Sequence, residues 1–297
     1  MFPSYTRPHS LPELIEALSS APGGFVLAGG TDLMVQMRLG LRHPTFVADV
    51  GDIAPMHRLD SEPVPTLGAA VTIRSLLSTP ALRTGFPALA QAGSLLGGRQ
   101  IQAMATIGGN LCNASPAAET ATPLLVYDGL AVIAGSSGER SVPLTEFWLG
   151  PGQTVLAQGE VLVGVRLPGV PFGPHSAYRR LELRRSVDIA IVSASAALDI
   201  SDHVVSGARV AVGAVAPTPR RVSLAEQALV GAEVPASNDG GVPEALMRRV
   251  NEAAAECRND AQPIDDVRAS AEYRGAMLEV IARRAILGSL GFENPGT

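Results

Sequence analysis

Leu11, Leu14, Ile15 and Leu18 recur at helical intervals behind Ser10-Leu-Pro-Glu13, which has the spacing of a capping box, so a helix is predicted to open at Ser10. Phe25 to Ala28 is a short apolar run and predicts a buried strand. Gly29-Gly30 breaks it, and Thr31-Asp32 is placed to cap a second helix through Leu33, Met34 and Met37 to Gly40. Thr45 to Val50 predicts a further strand. This order makes a small α/β unit whose sharpest turn is the double glycine.

From Thr66 to Leu167 the pattern is broken into short apolar runs with turns at Gly135-Ser-Ser-Gly138 and Gly150-Pro-Gly152, and Val161 to Leu167 alternates like a strand. A Pro/Gly-rich stretch over Gly169 to Pro174 predicts a boundary. Beyond it, Tyr178–Leu183, Ile189–Ile200 and Ala208–Val215 read as strands, with Ser201-Asp-His203 turning the chain between the last two. Ser223-Leu-Ala-Glu226 has the form of a second capping box. Helical tracts follow over Pro243–Glu256 and Ser270–Leu287, the latter with an apolar stripe of Met277, Leu278, Ile281 and Leu287; Arg274, Arg283 and Arg284 are expected in solvent or against another subunit.

Composition narrows the function. The chain has 297 residues and a formal charge of −5, with no basic excess of the kind that draws nucleic acid. No apolar run has the length of a membrane span. The N-terminus has no cationic region leading into an apolar core, which gives the expectation of a cytoplasmic protein. Two cysteines, Cys112 and Cys257, cannot form a disulfide framework, a four-thiolate zinc site or an iron–sulfur cluster within the chain. The five histidines are scattered without zinc-site spacing, so no metal site is expected, and no Gly-x-Ser-x-Gly suggests a hydrolase. Gly is abundant, at 31 residues, while aromatics are only 4%.

Two segments carry candidate chemistry. In Val26-Leu-Ala-Gly-Gly-Thr-Asp-Leu33 a strand delivers a double glycine to the start of a helix, where bare backbone and unpaired amides suit a phosphate or pyrophosphate. The same corner also reads as plain turn geometry. In Ala105-Thr-Ile-Gly-Gly-Asn-Leu-Cys-Asn-Ala-Ser-Pro-Ala-Ala-Glu119 a second double glycine is followed by Asn110, Asn113 and Ser115. Side-chain amides beside bare backbone suit ribityl or ribose hydroxyls; capping of turns is the rival reading. A large ligand spanning both corners would account for the glycine surplus.

These segments resemble the two FAD-binding signatures of the flavoprotein subunit of molybdenum hydroxylases, a family including the carbon monoxide dehydrogenase medium subunit and the FAD subunit or domain of xanthine dehydrogenase. The resemblance continues through Gly97-Gly-Arg-Gln-Ile101, Gly150-Pro-Gly-Gln-Thr154, Gly159-Glu-Val-Leu162 and Tyr178-Arg-Arg-Leu-Glu-Leu-Arg-Arg-Ser-Val-Asp-Ile-Ala190. It ends with Val212-Gly-Ala-Val-Ala-Pro-Thr-Pro-Arg-Arg221 and Tyr273-Arg-Gly-Ala-Met277. Asn-Leu-Cys-Asn-Ala-Ser-Pro is more similar to the xanthine dehydrogenase type than to the carbon monoxide enzyme.

The resemblance implies an α+β (α/β-containing) fold. Residues 1–172 would form an FAD-binding PCMH-type domain of two small α/β subdomains, about 1–55 and 56–172. Residues 173–297 would form a smaller C-terminal domain with a three-stranded sheet and helices. It implies an electron-transfer oxidoreductase subunit with FAD as cofactor, receiving electrons from the [2Fe–2S] clusters of a small subunit. A large subunit would carry the molybdenum cofactor, in a dimer of heterotrimers, and an external acceptor (NAD, a quinone or dioxygen) would take the electrons. Val26 and Leu27 would lead into Ala28, Gly29, Gly30, Thr31, Asp32 and Leu33 at the pyrophosphate. Ile101, Thr106, Gly109, Asn110, Asn113 and Glu119 would meet the rest of the FAD, Val161 and Leu162 the flavin pocket, and Arg180 the flavin, where many relatives carry Lys. Two departures stand out: Glu119 where many relatives have Asp, and Leu96 in place of an aromatic near the adenine. No side chain is nominated as a catalytic acid, base or nucleophile.

Alternative readings are a stand-alone flavin oxidoreductase with its own proton donor, and a non-enzymatic scaffold that has lost FAD. In the Arg179, Arg180, Arg184, Arg185 cluster, Arg180 reads equally as a cofactor contact or as a solvated residue, and the others are expected on a solvated strand and turn, with Arg184 or Arg185 paired to Asp188 or Glu182. Cys112 is expected as a buried small hydrophobe.

Overall fold

The computed structural model describes residues 4–61, 64–167, 175–184 and 187–292. The Pro/Gly stretch read as a boundary, at 169–174, lies outside the described residues, as does Arg185.

The first unit runs β1 (Ser4–Thr6), α1 (Leu11–Ser20), β2 (Gly24–Leu27), α2 (Leu33–Arg38) and β3 (Phe46–Asp49), with a parallel sheet in the order β1-β3-β2. Parallel strands need crossing connections, and α1 and α2 supply them. The Ser10 hydroxyl caps α1 by accepting from the Glu13 amide at 3.4 Å, and the Glu13 carboxylate accepts from the His9 amide at 2.9 Å. Leu14 and Leu18 are the buried positions of α1. Asp32 does occupy the N-cap of α2, but it has helical backbone angles and makes no capping bond; its carboxylate accepts instead from the Gln36 side chain. No residue of α2 is buried, so the spacing of Leu33, Met34 and Met37 does not mark a core face.

The second unit begins with β4 (Leu59–Asp60) and β5 (Thr66–Gly68). Six short helices follow: α3 (Ile73–Ser78), α4 (Pro80–Gly85), α5 (Pro87–Leu95), α6 (Arg99–Met104), α7 (Ile107–Cys112) and α8 (Ala121–Val126). It closes with β6 (Leu130–Gly135), β7 (Gly138–Pro143), the pair β8 (Trp148–Gly150) and β9 (Gln153–Thr154), and β10 (Val161–Arg166). Its antiparallel sheet has the order β4-β5-β10-β6-β7. The helices are too short to display a helical period, which is why the pattern here reads as broken. Punctuation sets them instead: Thr72 and Thr106 cap α3 and α7, and Pro80 and Pro87 open α4 and α5. Leu67, Ile73, Leu89, Ile107, Leu124 and Ile133 share one apolar core with Leu14 and Phe46 of the first unit.

The third unit contains β11 (Ser176–Leu181), β12 (Val192–Ser201), β13 (Val204–Gly213), β14 (Arg220–Arg221), α9 (Ser223–Leu229), α10 (Glu244–Asp260) and α11 (Ala271–Ser289). The sheet has four strands, in the order β11-β12-β13-β14, and not three. The extra strand, pairing Arg220 and Arg221 with Val212 and Ala211, is too short to show alternation. A second correction concerns Ser223, which lies inside α9 and not at its N-cap. Glu226 accepts from the Arg221 guanidinium at 2.6 and 2.8 Å and from the Val210 amide at 3.1 Å, so it closes no capping box. A third concerns Arg274, which is buried: it donates to the Ile191 carbonyl at 2.6 Å and the Ala214 carbonyl at 3.2 Å, and pairs with Asp266 at 2.7 Å.

Helix α11 lies on β12 and α10 packs on α9 and α11, so that Val250, Ala254, Leu278 and Ile281 share one apolar core with one face of the β12–β13 sheet. The other face is small and polar and meets α8: Ser195 donates to the Thr122 hydroxyl at 3.0 Å, while Ala197 and Ala211 enter the core of the first two units. The Tyr127 and Ser176 hydroxyls meet at 2.7 Å, and Asp128 pairs with Arg209 at 2.9 Å and with Arg221. These joints fix β11, whose far end reaches the site described next.

Candidate functional site

A cavity of about 790 Å³ opens where the three units meet, a size that suits a bound small molecule. One wall is the turn from β2 to α2, where Val26, Ala28, Gly29, Gly30, Thr31, Asp32 and Leu33 all line the space. The amides of Gly29, Gly30, Thr31 and Asp32 make no hydrogen bond to any described residue. The chain turns there because Gly30 adopts φ +67°, a conformation that side chains disfavour. Leu27 does not line the cavity; it packs beneath this turn, with its Cδ1 3.0 Å from where a Gly30 Cβ would stand.

Gly29 is required by packing as well as by access to a ligand. A Cβ on it would stand 1.8 Å from the Met104 carbonyl oxygen, so the residue is demanded by contact between two chain segments. The bare backbone thus seats the first unit against the end of α6. Gly109 is different: its Cβ position is exposed on the cavity wall, and the nearest atom is the Thr106 hydroxyl at 3.0 Å.

The second signature supplies another wall, with Ile101, Thr106, Gly109, Asn110, Asn113 and Glu119 all lining the cavity. Several polar groups here are already engaged within the protein. The Thr106 hydroxyl accepts from the Gly109 amide at 3.0 Å. Asn110 accepts from the Thr120 amide and hydroxyl at 3.1 and 2.6 Å and donates to Glu119 at 3.4 Å. Its amide therefore holds the loop that presents Glu119. Asn113 accepts from Gln36 at 3.2 Å, and Gln36 in turn accepts from Arg42 at 3.0 Å, so the two glycine corners are tied together across the cavity. Val161 and Leu162, at the start of β10, are buried and add an apolar surface with Leu96 and Leu156.

Arg180 does not line the cavity. Its buried guanidinium lies behind Glu119, donating to that carboxylate at 3.3 Å and to Glu182. Burial pushes the Glu119 carboxyl above its ordinary range, and Arg180 and Asn110 act against that shift. Arg184 pairs with Asp188 at 3.6 Å, as expected. Cys112 also lines the cavity, and burial pushes its thiol up to about 12, the behaviour of an inert cysteine.

Two contributions went unread in the sequence. Val187, Asp188 and Ile189 of the third unit close part of the cavity, and Val187 and Ile189 are largely exposed apolar residues in a loop. Arg42 also lines it, with its guanidinium 5.3 Å from the centre of the Phe25 ring. The signal for the first was the Tyr178–Ala190 resemblance, which contains Val187, Asp188 and Ile189; Arg42 lies in no motif.

The lining suits FAD. Free amides and a glycine turn suit a diphosphate, hydrogen-bonding groups stand along the second corner, and apolar Leu96, Leu156, Val161 and Leu162 suit flat rings. Among the described residues, no helix is long and apolar enough to cross a membrane.

Residues 1–170 match the family described as FAD binding domain in molybdopterin dehydrogenase, and residues 176–289 match the CO dehydrogenase flavoprotein C-terminal domain. The chain is 30% identical over 289 residues to the xanthine dehydrogenase FAD-binding subunit of Escherichia coli O157:H7, covering 96% of this chain and 95% of that one. It is similar in structure to carbon monoxide dehydrogenase from Hydrogenophaga pseudoflava, with a TM-score of 0.89, 28% identity, and coverage of 98% of this chain and 99% of that one. Quinoline 2-oxidoreductase from Pseudomonas putida 86 matches with a TM-score of 0.88 at 27% identity, covering 98% of each chain.

Proposed function

The chain belongs to the FAD-binding family of molybdopterin dehydrogenases, as a medium FAD subunit of the molybdenum hydroxylase type, and we propose that it passes electrons from [2Fe–2S] clusters on a partner subunit to an external acceptor. NAD, a quinone or dioxygen is the acceptor class in this reading. The partners are a small iron–sulfur subunit and a large molybdenum-cofactor subunit, assembled as a dimer of heterotrimers in the cytoplasm. Bound FAD supplies the redox chemistry, taking up electrons and releasing them.

The residues of the chain bind and orient. The Gly29–Asp32 amides would hold the diphosphate, with Val26, Ala28 and Leu33 forming the adjoining wall. Thr106, Gly109 and Asn113, with Ile101 beside them, would face the ribityl and ribose portion, and Asn110 would hold Glu119 in place. Val161 and Leu162 would exclude water from a ring face. Arg180 acts behind Glu119 and keeps a positive charge beside that carboxylate. The observation that carries the reading is the meeting of both glycine corners in one cavity whose polar groups hold and orient. Two cysteines do not supply the four thiolates of a [2Fe–2S] cluster, which supports a reading in which the clusters lie outside these 297 residues.

The test is to produce the chain with and without candidate partner subunits and to record visible spectra and metal content. A flavin spectrum in the chain, and flavin reduction by substrate only in a complex containing molybdenum and iron, are the expected results. Steady substrate turnover by the isolated chain would favour the stand-alone flavoenzyme instead.

A further inference from the structure

Five charged residues line the cavity, namely Asp32, Arg42, Glu119, Glu160 and Asp188, and Arg42 alone among them is a cation. Three of the four carboxylates are matched by cations within the protein. Glu119 is paired with Arg180 at 3.3 Å, and Glu160 accepts two bonds of 2.7 Å from Arg140. Asp188 accepts from the amides of Leu183, Arg184 and Ile189 at 2.9 to 3.0 Å and pairs with Arg184 at 3.6 Å. Asp32 accepts from Gln36. Arg42, by contrast, has no carboxylate partner among the described residues.

Its side chain is nevertheless held in place. The Nε donates to Gln36 at 3.0 Å, and the guanidinium is held 5.3 Å from the centre of the Phe25 ring. Gln36 is itself bonded to Asn113, so the guanidinium is fixed with respect to both glycine corners. The two terminal amino groups donate to no described residue. An oriented guanidinium with two free donors in a fork matches a phosphate, which accepts such pairs bidentately.

We propose that Arg42 is a binding residue for the dinucleotide diphosphate and supplies the positive charge that the carboxylate-lined cavity otherwise lacks. The proposal rests on the reading that this cavity holds FAD. It separates the work of the two corners: the glycine turn offers neutral amides, and Arg42, anchored through Gln36, brings charge to the same anion.

The test uses the full-length chain freed of flavin, with dissociation constants for FAD and riboflavin measured by fluorescence over a range of salt. Arg42→Gln should weaken FAD binding by roughly ten- to a hundred-fold, the loss of charge-assisted bonds, and flatten its salt dependence. Riboflavin, which carries no phosphate, should bind the variant as it binds the wild type. Arg42→Lys should recover part of the FAD affinity. Equal losses for FAD and riboflavin would make Arg42 a structural clamp and overturn the proposal, as would unchanged FAD affinity. Failure of the wild-type chain to bind FAD at all would instead refute the reading on which the proposal rests.

Discussion

Arg180 and Glu119 are separated by 61 positions in sequence and meet at 3.3 Å, joining the C-terminal sheet to the second glycine signature. The arginine thus acts on the cavity through a carboxylate. Burial raises the Glu119 carboxyl above its ordinary value of 4.5. In the window above that value the folded chain keeps a proton that the unfolded chain has released. The stability contributed by this group is therefore full below the window and is lost as pH rises through it. Glu119→Gln removes the titration. Melting temperatures of wild type minus variant should fall as pH is raised from about 4 to about 7; a flat or rising difference would show that Glu119 does not titrate this way.

Gly29 and Gly109 should fail differently. Gly29→Ala drives a methyl into the Met104 carbonyl, so it should lower the melting temperature and reduce folded yield along with flavin content. Gly109→Ala places its methyl on the cavity wall against a single hydroxyl. It should leave the melting temperature of the flavin-free chain nearly unchanged while lowering the flavin-to-protein absorbance ratio. The same loss of fold in both variants would show that the second corner is as closely packed as the first.

Arg274 should be a stability residue. Arg274→Met strands the carbonyls of Ile191 and Ala214 and leaves Asp266 with Arg268 as its one cation among the described residues. The expected cost is about 2 kcal/mol from the stranded buried carbonyls, read as a lower urea midpoint with an unchanged slope. Burial alone would raise the Asp266 carboxyl, but the Arg268 and Ala269 amides and the Arg274 guanidinium outweigh it and hold the carboxyl well below its usual 3.8. Its stabilising effect is present above 3.8 and is lost as pH falls below it. Asp266→Asn should therefore narrow the stability gap to wild type under acid conditions, measured by urea melts across that range.

Neither cysteine should be reactive in the folded chain. Burial pushes both the Cys112 and Cys257 thiols up to about 12, so almost no thiolate exists near neutral pH. Mass spectrometry after iodoacetamide treatment at about pH 8 should find both unmodified, with both labelled after guanidinium unfolding. Rapid labelling of native Cys112, which lines the cavity and is only partly buried, would show that its thiol is not raised in this way.

Signals that act over a few residues were legible in the sequence. The Ser10 cap and the turn at Asp202-His203 stand where the pattern places them, and the strand before the first double glycine forms over Gly24–Leu27, half-buried beside the cavity and not buried as its apolar run predicts. Asp32 and Ser223 fit capping patterns equally well, yet their local bonds lost to others: Asp32 to the Gln36 side chain, and Glu226 to Arg221. The burial of Arg274 is not legible because its spacing belongs to a solvated helix face, whereas its partners are carbonyls at Ile191 and Ala214, fixed only once the sheet forms. For the site, the glycine corners were legible as motifs. That Gly29 faces Met104, or that Arg42 lies beside Asn113's partner Gln36, depends on tertiary contact and leaves no periodic trace.

The small, polar face of β12 and β13 bears on how the chain is made. Ser193, Ser195 and Ala197 alternate along one side of β12 and Ala211 and Gly213 lie across from them, while a Cβ on Gly213 would stand 2.6 Å from the Ser193 hydroxyl. Such a face fits α8 without bulky rings, consistent with a chain in which aromatics make up only 4%. Residues 4–167 leave the ribosome before this sheet exists, and α8 then waits with Thr122 facing the gap. Once the sheet forms, the face that has to find α8 is small and polar, so until it docks it offers little for a neighbouring nascent chain to adhere to, which limits misassembly during synthesis.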